Sequence, residues 1–215
     1  MGKRVRKETG PGLLMAKHFR AWCLRHAESD NILAGAAGRL PSAALTPQGR
    51  KQAAAAARLL NTGDIAWTYT SVALRARETA SYIVAGHPSA LTQLPDLDEV
   101  GIGRSEGATD QATRDRTADV LHAWVVDQDL DQRVADGESG HEVVARITRA
   151  FDSIATAHPS ETVLVVGHVA SLTAGLSALC GLGGRLWGMP LPHALPFLIE
   201  RYDDAWHCTG WPGLA

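Results

Sequence analysis

Two histidines and two arginines stand where an anion could be held and attacked. His26 follows the short β-prone run His18 to Leu24, and His168 follows the apolar run Thr162 to Val166. Each precedes a polar or small-residue turn. Arg25 adjoins the first histidine, and Arg75 opens a helical stretch just after the run Ile65 to Thr70. Guanidinium groups bind phosphate oxygens through paired, charge-assisted hydrogen bonds. They repel cations, so the set makes a poor metal site. An imidazole with one bare nitrogen is a competent nucleophile near neutral pH. The chemistry implied is phosphoryl transfer onto a histidine. Taken singly, Arg25-His26 is a dipeptide that chance often produces, Arg75 suits a solvated helix face, and His168 reads more readily as a packed near-core histidine. Their joint placement at strand ends singles them out.

The elements that must position these groups are legible in the pattern of the chain. Thr46-Pro47 opens a helix, Thr46 as N-cap and Pro47 at the first helical position. That helix runs through the alanine-rich Gln52 to Leu60 and stops at Asn61-Thr62-Gly63. Ile65 to Thr70 reads as a strand and Leu74 to Ala85 as a helix closed by Gly86. A loop from Leu94 to Gly107 holds three glycines and four acids. Thr109 to Val126 reads as helix, and Asp127 to Gly140 as a polar loop covering the site. His141 to Ala157 is amphipathic, with Val143, Ile147, Ala150, Phe151 and Ile154 on one stripe. Thr162 to Val166 has the continuous apolar character of a buried parallel strand. An apolar helix from Ser171 to Cys180 comes next, then a strand pair, Phe197 to Tyr202 and Ala205 to Thr209. Strands alternating with helices predict an α/β three-layer sandwich: a mostly parallel sheet, helices on both faces and a small helical or loop cover. In such sheets ligands bind at the carboxyl ends of strands. Parallel neighbouring strands would make the two imidazoles face one another.

The chain has 215 residues, 45% hydrophobic and 20% charged, with a net charge of −2. That balance gives no reason to expect nucleic acid or an anionic membrane as partner. Cys23, Cys180 and Cys208 are too few and scattered for a disulfide framework or zinc site. Buried free thiols at Cys23 and Cys180 and a reducing, cytoplasmic setting are expected. The basic start, Lys3 to Lys7, lacks the apolar stretch of a signal peptide. Residues 1–16 are expected to form a disordered extension, and 17–215 a single α/β domain.

The motifs resemble those of the histidine phosphatase superfamily, which includes the cofactor-dependent phosphoglycerate mutases. Leu24-Arg25-His26-Ala27-Glu28-Ser29 resembles its Arg-His-Gly-Glu-Ser/Thr nucleophile motif, and Leu45 to Ala53 its Leu-Thr-x-x-Gly-x-x-Gln-Ala helix start. Thr70 to Ala80 is similar to Ser-Ser-Pro-Leu-x-Arg-Ala-x-Gln-Thr-Ala. Leu97-Asp98-Glu99, with Gly103 and Glu106-Gly107 beyond it, resembles the acid loop. Gly137-Glu138-Ser139 with Arg146 resembles a downstream helix motif, and Val165 to His168 the second histidine. The resemblance implies His26 as the nucleophile, and Arg25, Arg75 and His168 as ligands of the phosphoryl oxygens. It implies Glu99 as the acid that protonates the leaving oxygen and then the base that activates water. Asp96, Asp98 and Glu106 are competing acids. Val169 stands where another branch carries an aspartate donor, which favours the Glu99 loop.

The departures are informative. Ala27 replaces a glycine. Ile32 stands where the family often has asparagine, with Asn31 one place early as a possible additional phosphate contact. Val100-Gly101-Ile102 replaces the arginine and aromatic residue by which mutases hold substrate. The expectation is a phosphomonoesterase acting on a small-molecule phosphate ester, without metal or organic cofactor, as a monomer or homodimer. The alternatives are mutase-type phosphoryl transfer and a non-catalytic phospho-ligand binder. Specificity is expected from Val100 to Gly140 and Gly183 to Pro196. Arg39, Arg104, Arg114, Arg116 and Arg133 read mainly as surface charges, and Trp187 and His193 as packing or entrance residues.

Overall fold

The protein is described by a computed structural model covering residues 18–60, 62–86 and 89–214. The expected N-terminal extension lies outside the described residues. Six strands form one sheet: β1 (Phe19–Arg25), β2 (Ile65–Thr70), β3 (Ala90–Gln93), β4 (Thr162–Gly167), β5 (Phe197–Tyr202) and β6 (Ala205–Thr209), in the order β3-β2-β4-β1-β5-β6. The first four run parallel, and β5 and β6 are antiparallel additions at one edge.

Alternation along the buried strands explains the layers, since successive side chains point to opposite faces. Phe19, Ala21 and Cys23 of β1 and Val163 and Val165 of β4 enter one apolar cluster. There they meet α5 (Gly140–Ala157) and α6 (Val169–Leu179), whose Val143, Ile147, Phe151, Ile154 and Leu172 are buried. Leu24, Leu164 and Val166 point the other way, toward α2 (Pro47–Leu59) and α3 (Leu74–Ile83). The expected stripe on α5 is the stripe that is buried. The helix starts with a capping box in which Ser139 and Glu142 satisfy each other's backbone N–H groups.

Several expectations need correction. The strand β3 and the four-residue helix α1 (Asp30–Leu33) add to the elements read from the sequence. Ala90–Gln93 is a short, largely exposed edge strand, so its residues show no buried alternation to read. The helix α4 (Gln111–His122) is shorter than Thr109 to Val126 and passes into a π-helical turn, Ala123–Asp127. Asp110 caps it, accepting from the Thr113 N–H. Helix α6 begins directly after His168, two residues earlier than Ser171. Cys180 is half-buried, whereas Cys23 is fully buried, and all three cysteines are free.

At α2, Thr46 accepts from the Gly49 N–H as the sequence predicts. Its own N–H donates to the Glu28 carbonyl, and its hydroxyl donates to the Glu28 carboxylate. The helix start is therefore docked on the turn after His26. Gly49 permits that approach, because a Cβ there would overlap the Glu28 carbonyl oxygen. A Gly49→Ala variant should lose about 1–3 kcal/mol of stability through this overpacking. Urea denaturation against wild type measures it.

Candidate active site

Strands β1 and β4 are parallel neighbours in register, Arg25 opposite Gly167. The ladder continues one residue further, the His26 N–H donating to the Gly167 carbonyl at 2.9 Å. His26 and His168 therefore emerge side by side at the carboxyl ends of adjacent strands. Their ring centroids lie 5.1 Å apart, and both side chains are buried. The anticipated facing of the two imidazoles is what the fold produces.

Arg75, second residue of α3 and only 1% exposed, fills the space between them. Its Nε donates to His26 Nε2 at 3.1 Å, its Nη2 to His168 Nδ1 at 3.2 Å and its Nη1 to the Leu40 carbonyl at 2.8 Å. A guanidinium has no acceptor, so these contacts assign the protons on the rings. His26 Nδ1 donates to the Ala27 carbonyl at 2.7 Å, which leaves Nε2 bare. His168 receives Arg75 at Nδ1, and its Nε2–H donates to Ser71 Oγ at 2.7 Å. Both imidazoles are thus neutral. Burial pulls the His26 pKa well below its ordinary value, and the Arg75 charge acts in the same direction. Burial also depresses His168, helped by His26 and Arg75.

Arg25 completes the cationic side. Its Nη1 donates to the Leu191 carbonyl at 3.1 Å, while its Nε is buried without a hydrogen-bond partner. An orphaned buried donor on a guanidinium suits an anion.

The acid loop is brought to the same place. Glu99 accepts from the N–H groups of Val100, Ala170 and Ser171, the last two at the start of α6. It therefore lies against the turn carrying His168, where a helix N-terminus favours a carboxylate. The competing acids are differently engaged. Asp96 pairs with Arg149, and Glu106 accepts from the Ile102 and Arg39 N–H groups. Asp98 accepts from the Val72 N–H, and burial raises its pKa. Asn31 accepts from the Ser29 hydroxyl and donates to the Ala36 carbonyl, bracing the loop after β1. Its polar atoms are not among the contacts joining His26, Arg75 and His168.

Several further side chains brace the site. Arg146, buried on α5, donates to the carbonyls of Asp96, Asp98 and Glu99 and pairs with Glu138 at 2.9 Å. It ties the acid loop to the helix. Burial opposes the Glu138 charge, but Arg146, the Gly101 N–H and Arg39 prevail and hold its pKa below the ordinary value. Arg39, read as a surface charge, donates to the Glu99 carbonyl and pairs with Glu138. Ser71, Thr79 and His193 also touch the site. Ser71 directly succeeds β2, a signal as plain as that of His26. A cleft of about 630 Å³ is lined by Arg39, Leu40, Gly101, Glu106, Arg133 and Glu138 among others, and not by His26, Arg25, Arg75, His168 or Glu99. Leu40 is the shared wall, since its carbonyl holds Arg75. Trp187 instead packs edge-on against His122.

The profile of the histidine phosphatase superfamily (branch 1) matches residues 21–212, nearly the whole chain. The chain belongs to that superfamily. An uncharacterized Mycobacterium tuberculosis protein is 32% identical over 179 residues, 82% of this chain and 85% of its own. The adenosylcobalamin/alpha-ribazole phosphatase of Salmonella typhimurium is 26% identical over 184 residues, 85% and 87% of the two chains. The solved structure of Bacillus stearothermophilus YhfR superposes with a TM-score of 0.77 at 28% identity, covering 92% of this chain and 98% of that one. This histidine phosphatase therefore carries an enzyme's cradle, built from the ends of three parallel strands.

The electrostatics of the cradle set its response to pH and to loss of a buried partner. Below the ordinary histidine pKa of 6.5 the unfolded chain protonates His26 and His168 while the folded site resists. The unfolded state then binds more protons, so stability falls as pH drops from 6.5 toward the lowered folded values. Melting temperatures measured downward from neutral pH should decline, and a His26→Asn variant should decline less steeply. Arg146→Met leaves Glu138 without its buried partner and should cost about 3–5 kcal/mol in denaturant unfolding.

Proposed function

We propose that this histidine phosphatase hydrolyses a small phosphate monoester through a phosphohistidine on His26, without a metal. The observation that carries the reading is the bare Nε2 of His26, locked by the Nδ1–H bond to Ala27 and directed at Arg75. In this reading phosphate oxygens take the donors that Arg75 now spends on the two rings, and Arg25 Nε adds another. The His26 Nε2 lone pair forms a bond to phosphorus as the bond to the ester oxygen breaks. Glu99, entering as the acid, gives its proton to that oxygen. In the second half Glu99 takes a proton from water, whose oxygen attacks phosphorus. The P–N bond then breaks, returning its electron pair to Nε2 and releasing inorganic phosphate. The amide donors around Glu99 suit the carboxylate of this second half. Phosphoryl transfer depends mainly on positioning and charge stabilisation, which buried guanidinium groups provide.

The ester's alcohol portion is assigned to the cleft beside Leu40. Residues 100–102, directly after Glu99, disfavour the mutase alternative. Val100 and Ile102 are buried and Gly101 has no side chain, so none of the three presents a group to a substrate carboxylate. Similarity to the Salmonella enzyme puts alpha-ribazole phosphate on a substrate panel beside sugar phosphates and nucleotides.

With a generic aryl phosphate at mildly acidic pH, His26→Ala should abolish turnover and the acid-labile phosphoenzyme. Arg75→Ala should lower kcat by about 10²–10³-fold, as for loss of a preorganised donor. Glu99→Gln should slow hydrolysis of esters with poor leaving groups more than of aryl phosphates, while Asp98→Asn should not. Equal turnover by wild type and His26→Ala would remove the mechanism, and loss of activity with a chelator would contradict metal independence. Conversion of one phosphoglycerate into the other would restore the mutase reading.

A further inference from the structure

The peptide unit joining His26 to Ala27 has both polar groups held by side chains from distant parts of the chain. Its N–H donates to Thr79 Oγ1 at 3.0 Å, and its carbonyl accepts from His193 Nδ1 at 3.0 Å. A carbonyl only accepts, so His193 must carry its proton on Nδ1. The His193 ring is half-buried, its centroid 5.7 Å from that of His26. The same segment grips the preceding residue. The Ala194 N–H donates to the Arg25 carbonyl at 3.0 Å, and Arg25 Nη1 reaches the Leu191 carbonyl. Strand β5 begins only at Phe197, so residues 191–194 continue the edge contact of β1 beyond the ladder. A parallel bridge, Arg25 with His193, marks the place.

This matters because the next carbonyl, that of Ala27, receives the Nδ1–H of His26. The two contacts fix ψ of His26 and φ of Ala27, and a change in either torsion alone would swing the Ala27 carbonyl away from the imidazole. His26 could then adopt the other tautomer, with its proton on Nε2 and no lone pair there. Without His193 the buried carbonyl of His26 would lose its partner, and Thr79 alone would hold the peptide plane.

We infer that His193 is a positioning residue for the nucleophile: with Thr79 it clamps the 26–27 peptide, and through the Ala27 carbonyl it keeps His26 Nε2 bare and aimed. The inference rests on the phosphohistidine reading of the same site but assigns His193 no contact with substrate. It makes a chemical distinction between substitutions. Asparagine places an amide N–H where His193 Nδ1 stands, whereas phenylalanine keeps the ring without the donor.

The test combines steady-state kinetics with proton NMR of the buried imidazole N–H of His26, identified by its absence in His26→Ala. His193→Phe should lower kcat by about 10–100-fold, with KM within about twofold, as expected for a misaimed but intact cradle. It should shift or broaden the His26 resonance. His193→Asn should recover most of both. Thr79→Val, which removes the acceptor at the other end of the same peptide, should move the resonance in the same way. The NMR arm needs no turnover, so it reads the clamp even if the phosphohistidine mechanism fails. His193→Phe and Thr79→Val both leaving the resonance unmoved would overturn the inference. So would equal impairment of His193→Phe and His193→Asn.

Discussion

A guanidinium buried between two imidazoles is the constraint on which this site depends. Arg75 is buried, and it donates to a ring nitrogen on either side. Each nitrogen must be a bare acceptor, so neither ring carries a proton that competes with the arginine. Desolvation and repulsion act in the same direction, because both disfavour the charged form of a histidine. The result is a cationic pocket whose two imidazoles stay neutral. It is complementary to a dianion and poorly suited to a cation.

Holding such a pocket requires support from every side. The backbone of β1 is pinned by β4 on one flank and by residues 191–194 on the other. Helix α2 rests on the turn after His26 through Thr46 and Gly49, and α3 carries both Arg75 and Thr79. On the opposite face of the sheet, Arg146 gathers three carbonyls of the acid loop and so fixes where Glu99 emerges. Buried charge is costly to leave unpaired, and Arg75 and Arg146 find carbonyl, imidazole or carboxylate partners for it. Arg25, the residue before His26, differs in keeping a buried Nε with no partner among the described residues.

The cradle and the cleft are bounded by different kinds of segment. The cradle of His26, Arg75 and His168 is bounded by strand ends and helix starts, which a core holds in place. The cleft beyond Leu40 is bounded by the segments around Arg39, Gly101 and Gly137, joined by ion pairs among Arg39, Glu138 and Arg146. Loop segments of this kind accept substitution without disturbing the sheet.

Much is legible in the sequence alone. Apolar periodicity locates α5 nearly to the residue, because burial on one face imposes a local pattern, and β-prone runs bounded by turn residues locate β2, β5 and β6. Residue type at strand ends marks Arg25, His26, Arg75 and His168, since the chemistry depends on groups that few side chains possess. Short edge elements such as β3 and α1 leave no pattern, having little to bury. The tautomers of the two histidines, the resting place of Glu99 and the parts played by Arg146 and His193 required the tertiary structure. Each depends on a hydrogen bond between residues far apart in the chain, such as the 167 positions separating His193 from His26. Spacing along a sequence records which groups are present, but the direction of a donor is settled only when the backbones that carry it have packed.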